Sequence, residues 1–305
     1  MVLDRYGRPL MNLRVSVTDS CNLECFYCHR EGQFLTQSFM TPGEVKRIVQ
    51  VSTELGVEKV KITGGEPLLR NDLEEIVSGL RSLKALREIS MVSNGRLLSA
   101  ERSERLKKAG LSRVNINLPS LNPATYMRMT GGSLEDALRG VKNAVEAGLT
   151  PVKVNMVLMK GLNDGEVWSA VEFAGKVGVV LQLIELEPVG LAPEVFERFH
   201  VSLEGFEEAL KASAESVKVR RWMQHRRVYS LHGVDVEVVK PIENTEFCAH
   251  CTRLRVTCDG KLKPCLMRND NLVDVLTPLR RGASDEELRE LFLKAVELRE
   301  PYWKG

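Results

Sequence analysis

Short strand-like runs alternate with helix-like stretches from Leu13 to Leu186, and this alternation confines the chain to a narrow class of folds. The runs are Leu13–Val17, Lys59–Thr63, Glu88–Val92, Val114–Leu118, Val152–Leu158 and Val180–Leu186. Their length and β-branched content suit strands buried in a sheet. The first intervening helix opens at Thr41-Pro42-Gly43-Glu44, where Thr41 can cap, Pro42 can take the first helical position and Glu44 can complete a capping box. Further helix patterns cover Leu73–Leu83, Ala100–Ala109, Leu134–Ala147 and Val167–Val177, with an irregular stretch before Leu134. Gly56, Gly110 and Gly148 mark returns from helix to strand. Repeated β-then-α units predict a parallel sheet with helices outside it. In such folds reactive groups lie at the C-terminal ends of the strands.

Unusual residues stand at those ends. The first strand leads into Cys21-Asn-Leu-Glu-Cys25-Phe-Tyr-Cys28. A [4Fe–4S] cluster normally takes one cysteine per iron. Three thiolates therefore leave one iron with an open position. A structural zinc ion would need a fourth ligand, and His29 is the neighbour that could supply one. Thr63-Gly64-Gly65-Glu66-Pro67 follows the second run, and paired glycines let backbone approach a ligand closely. Ser93-Asn94-Gly95, Pro119-Ser120 and Lys160-Gly161-Leu162-Asn163-Asp164 follow the next three. Arg14, Lys61 and Lys153 lie inside strand patterns, where a charge must be paired or face a cavity.

A second cysteine set lies near the C-terminus: Cys248-Ala-His-Cys251 and Cys265. Three thiolates again suit a cluster with an open iron. Cys258 lies between them, and with it the set becomes four ligands, enough for zinc or a closed cluster. Both readings stand at this level. Arg253 and Arg255 alternate directly after Cys251, so an extended backbone would project them to one side. Guanidinium forks match phosphates bidentately, which favours an anionic ligand held against the second metal site.

Thr18-Asp-Ser-Cys21-Asn-Leu-Glu-Cys25-Phe-Tyr-Cys28 resembles the cluster loop of radical S-adenosylmethionine (SAM) enzymes. With the second triad and Cys251-Thr-Arg253-Leu-Arg255, the chain from Leu13 to Tyr302 resembles the GTP 3′,8-cyclase family of molybdenum cofactor biosynthesis. That resemblance implies an α/β fold: a partial six-stranded (βα) barrel over residues 1–190, with a C-terminal region over 191–305 that carries a second iron–sulfur cluster and closes the barrel. It implies two [4Fe–4S] clusters, one on Cys21, Cys25 and Cys28 and one on Cys248, Cys251 and Cys265. It implies SAM contacts at Tyr27, Gly65, Asn117 and Glu187, and GTP contacts at Arg14, Lys61, Val92, Lys153, Arg253, Leu254 and Arg255. The implied reaction is a 5′-deoxyadenosyl radical taking the C3′ hydrogen of GTP, with ring closure to 3′,8-cyclo-7,8-dihydro-GTP. The implied partners are GTP, an external electron donor and a downstream cyclic pyranopterin monophosphate synthase that takes the product.

Several positions depart from the family pattern. Lys61 stands where Arg is frequent, and Val92 stands where Thr is frequent and can offer only backbone. Asn117 and Glu187 replace the common Ser and Met, and Gln182 stands where many members have Arg. The sequence ends on the single glycine Gly305, where many members end Gly-Gly.

Bulk properties exclude other classes. The net charge of the 305 residues is +2, which gives no electrostatic case for nucleic acid or a membrane surface. Arg220-Arg221-Trp222-Met223-Gln224-His225-Arg226-Arg227 is the one stretch suited to phosphate contact and stacking, and a solvated surface is the favoured reading of it, as the near-neutral net charge argues. No run approaches the ~18 apolar residues of a membrane span, and Met-Val-Leu-Asp-Arg at the start has no apolar signal-like stretch. The expected location is cytoplasmic, where seven cysteines read as metal or catalytic sites rather than disulfides. A monomer and a homodimer are both compatible with the sequence. A peptide-modifying radical SAM enzyme with an auxiliary cluster is the alternative function.

Overall fold

The computed structural model describes residues 1–33, 36 and 39–303, so Gly305 lies outside the described residues. The first two-thirds of the chain runs β1 (Asn12–Ser16), α1 (Pro42–Glu54), β2 (Lys59–Thr63), α2 (Leu73–Arg81), β3 (Glu88–Ser93), α3 (Ala100–Ala109), β4 (Arg113–Asn117), α4 (Pro123–Thr130), α5 (Leu134–Glu146), β5 (Lys153–Leu158), α6 (Val167–Val177) and β6 (Val180–Glu185). There follow α7 (Pro193–Phe199), α8 (Glu204–Ser213), β7 (Ser216–Arg220), β8 (Arg226–Leu231), β9 (Val234–Val239), α9 (Thr245–Ala249), β10 (Arg253–Val256), β11 (Lys261–Lys263), β12 (Val273–Asp274), α10 (Leu276–Arg280) and α11 (Asp285–Glu297).

β1 to β6 pair in parallel in chain order, as the alternation predicts. The C-terminal region extends this sheet at both edges. β10 joins β1 in parallel, and β9 joins β6 in parallel with β8 and β7 beyond it. Residues from beyond 191 therefore flank the six strands on either side.

The helices form where their caps and apolar stripes allow. Thr41 and Glu44 make both bonds of the capping box that opens α1. Its Val45, Ile48 and Val49 are buried against the sheet, at about 1.5–3 kcal/mol for each such side chain. The stretch before Leu134, expected to be irregular, holds α4. Asn122 caps it, accepting from the Ala124 and Thr125 N–H groups, and Pro123 takes its first position. The Asn-Pro signature was present, but the segment is too short to show apolar periodicity.

Candidate active site

The sheet's inner face and the loops at the strand ends enclose a cavity of about 300 Å³. Cys21, Cys25 and Cys28 line it, and so do Cys248, Cys251 and Cys265. Cys258 does not. It is fully buried just beyond β10, its N–H donates to Gln33 Oε1 at 3.0 Å, and burial followed by nearby Asp19 and Asp259 pushes its thiol up to about 12. The second set therefore presents three thiols to the cavity.

The donor sets fit clusters better than single ions. Tetrahedral zinc with Zn–S bonds of ~2.3 Å places its sulfurs about 3.8 Å apart. Among the described residues the only trio of potential ligands within 4.8 Å of one another is His225, Glu246 and His250, so neither cysteine triad closes that tightly. A cubane spreads its thiolates because each iron takes one. Burial, then Cys28 and Cys21, pushes the Cys25 thiol up to about 12. Such a group is at ease as a thiolate only beside metal charge.

The β2–α2 turn clamps the first cysteine loop. Gly65 N–H donates to the Thr18 carbonyl and Glu66 N–H to the Ser20 carbonyl, both at 2.7 Å. A Cβ on Gly65 would sit 2.1 Å from the Ser20 oxygen, so no other residue allows this approach. The Glu66 carboxylate is buried and accepts from Leu68 N–H, Ser93 Oγ and Asn94 N–H at 3.0, 2.8 and 2.7 Å. Those bonds tie the ends of β2 and β3 together. Asn117 Nδ2 donates to the Tyr27 hydroxyl at 2.9 Å, joining two residues expected at the SAM site. Glu187 lines the cavity 4.0 Å from His29 Nε2.

The floor of the cavity is basic. Register places Arg255 beside Arg14 and Arg14 beside Lys61, so adjacent strands β10, β1 and β2 present a row of cations. Arg113 on β4, Lys153 on β5, and Arg220 and Arg226 from the β7–β8 hairpin complete it. Two carboxylates partly neutralise this row. Glu31 meets Arg14 at 2.6 Å and Arg255 at 2.7 Å, and accepts from Thr63 Oγ1 at 2.8 Å. Glu237 meets Lys153, Arg220 at 3.0 Å and Arg226 at 3.5 Å. Burial alone would raise both carboxyls, but their arginine and lysine partners outweigh it and hold them well below the usual range. Two cations are left over. Lys61 has only Asn115 Oδ1 at 3.1 Å, and the Arg253 guanidinium has no hydrogen-bond or ion-pair partner among the described residues. Burial first, then neighbouring cations (Arg113 and Arg14 for Lys61, Arg226 for Arg253), lowers both well below their ordinary values.

Of the residues expected at the SAM and GTP sites, all but one line this cavity. The exception is Leu254. Strand alternation in β10 turns it into the apolar core, fully buried, while Arg253 and Arg255 face the cavity. The Leu254 side chain is therefore a packing group, which leaves only its backbone to meet a substrate. Sequence reasoning missed Glu31, Arg113 and Glu237. Arg113 and Glu237 lie inside strands, where the argument that singled out Lys61 applies to them as well. The Arg220–Arg227 stretch is not one surface. Arg220 and Arg226 turn inward to Glu237, Arg221 stacks on Trp222, and Arg227 pairs with Glu207.

Comparison with known proteins agrees with this arrangement. Residues 15–174 match the Radical SAM superfamily, and residues 179–305 match the family described as Molybdenum Cofactor Synthesis C. A protein of Thermococcus kodakarensis named "Probable GTP 3′,8-cyclase" is 51% identical, with all of both chains covered. Proteins of the same name from Pyrococcus horikoshii and Methanococcus aeolicus are 48% and 46% identical, covering 99% of this chain and 98% and 99% of theirs. Among solved structures, Streptococcus suis SuiB superposes with a TM-score of 0.67 at 16% identity, over 99% of this chain and 69% of its own. HydG, a maturase of the [FeFe]-hydrogenase, gives 0.53 at 20% identity over 67% and 49%. These two likenesses speak for the fold alone, whereas the full-length relatives carry one name. Two cysteine triads on one basic cavity, both family matches and near-complete coverage by cyclase relatives together place this chain in the GTP 3′,8-cyclase family of radical SAM enzymes.

Proposed function

We propose that this chain converts GTP to 3′,8-cyclo-7,8-dihydro-GTP, the first step of molybdenum cofactor biosynthesis, with SAM held at one end of the cavity and GTP at the other. The observation that carries the reading is that two three-cysteine sets line one cavity together with a group of cations. When bound, a cluster and SAM on Cys21, Cys25 and Cys28 supply a 5′-deoxyadenosyl radical, and a cluster on Cys248, Cys251 and Cys265 supplies an iron with an open position for guanine. The chain's own residues bind and orient. Gly65, Glu66 and the Tyr27–Asn117 bond shape the SAM end, with Glu187 at its edge. Arg14, Lys61, Lys153, Arg253 and Arg255 face the triphosphate, and Val92 contributes wall. Joining C3′ of the ribose to C8 of the base requires a folded nucleotide, and anchoring both its ends is the entropic contribution such a site makes. Enclosure excludes water from the radical.

The work divides along the chain. Residues 1–190 supply the SAM end and most of the floor, and residues 191–305 supply the second triad and the hairpin. A cluster held by Cys21, Cys25 and Cys28 would take its electron from an external one-electron donor, and the product would pass to a cyclic pyranopterin monophosphate synthase. In this reading the enzyme acts in the cytoplasm as a monomer or homodimer. Separately, no helix among the described residues is long and apolar enough to cross a membrane.

The test is an anaerobic assay of reconstituted protein with SAM, GTP and a strong reductant, following 5′-deoxyadenosine and the cyclised nucleotide together. Replacing Arg253 and Arg255 with Ala abolishes cyclisation and leaves SAM cleavage. Cyclisation at the normal rate in that variant overturns their role.

A further inference from the structure

The C-terminal hairpin places more positive charge in the cavity than the fold can neutralise. Arg220 and Arg226 face each other directly across the β7–β8 pair, an arrangement that is destabilising for like charges. Both reach one carboxylate, Glu237, which Lys153 also occupies. The imbalance is three cations to one anion. Glu237 is fully buried, and the Arg226 side chain is 8% exposed with its Nε buried and without a partner. A buried charge in excess is costly unless an anion meets it. On the same floor Arg113 shares Glu88 at 2.8 Å, while Lys61 and Arg253 face the cavity with no carboxylate among the described residues. Gln182, uncharged on β6, lies in register with Glu237, so the hairpin's guanidiniums reach the cavity at a level where the barrel strand itself offers no cation.

We propose that Arg220 and Arg226, positioned by Glu237, are part of the polyphosphate-binding floor, so that the C-terminal hairpin as well as the barrel strands grips the triphosphate and discriminates it from shorter phosphate chains. The inference rests on the cyclase reading for the identity of the nucleotide, but an anion site can be tested without turnover.

The probe is inorganic tripolyphosphate on the reconstituted protein. It should slow phenylglyoxal modification of Arg220, the more exposed of the pair, read by peptide mass mapping, and leave Arg227 unprotected, because Arg227 pairs with Glu207 outside the cavity. Arg220→Gln and Arg226→Gln should each weaken tripolyphosphate binding about tenfold and collapse the preference for GTP over GMP. Arg226→Lys should recover part of the loss, and Arg227→Gln should change nothing. If a variant fails to fold, the wild-type protection pattern decides alone. Protein that cyclises GTP without protection of Arg220 overturns the hairpin's role and leaves the cyclase reading intact. Protection by tripolyphosphate in protein that makes no cyclised nucleotide supports the hairpin site and overturns the cyclase reading.

Discussion

Lys61 carries the clearest pH signature of any residue in the site. Burial, then Arg113, Arg14, Arg253 and Lys153, holds its ammonium well below the ordinary lysine value. A triphosphate beside it restores the charged form, so binding takes up a proton wherever free Lys61 is neutral. GTP affinity should therefore fall as pH rises through that lowered value, by at most about tenfold per pH unit for one proton. Lys61→Arg stays charged throughout. Its titration calorimetry should show a flat alkaline limb where the wild type slopes, and equal slopes would overturn the assignment. Glu66 is a structural counterpart. Its carboxylate satisfies three donors at once. Glu66→Ala leaves them buried and unpaired, so denaturant unfolding should show a loss of about 2–4 kcal/mol. SAM binding should weaken with it, because the turn beside the cysteine loop relaxes.

At the scale of the element, β10 makes neighbouring residues respond in opposite ways. Leu254 is fully buried in the core, so Leu254→Ala should cost about 2–5 kcal/mol of stability. Arg253 is one residue away but faces the cavity without a counter-charge among the described residues. Arg253→Ala removes a desolvated cation, so thermal unfolding should be unchanged or shifted upward while GTP binding is lost, as expected where a site stores instability for function. A comparable loss of stability in both variants would mean that Arg253 is a packing residue. The strands and all but one of the helices up to β6 were readable from the sequence. β1 to β6 lie within two residues of the runs expected from their apolar pattern, because buried parallel strands write themselves as β-branched runs. α4 and the elements after β6 were not read. α4 is a short helix without usable periodicity, and the β7–β8 hairpin is a polar ribbon whose basic residues look like surface.

For the whole molecule, the two cysteine sets should be separable. Cys265 lies in the loop after β11, a different segment of the chain from the loop after β1, and lines the same cavity. Cys265→Ala should roughly halve the bound iron, since each of two clusters takes an equal share, and should abolish cyclisation. SAM cleavage should persist. Parallel loss of both activities would mean that the two ends do not act independently. The cysteine spacings, the Gly64-Gly65-Glu66-Pro67 turn, the six β–α units and the cations at Arg14, Lys61 and Lys153 were all determined by sequence, because local spacing and periodicity are what the chain records directly. Only the tertiary structure decided that Cys258 is turned away from the second set, that Leu254 belongs to the core, and that Glu31 and Glu237 each gather cations from distant segments. Those facts depend on strand register between residues up to hundreds of positions apart, as with Arg14 beside Arg255. No local pattern encodes that register, which is fixed when the C-terminal strands dock on both edges of the barrel sheet.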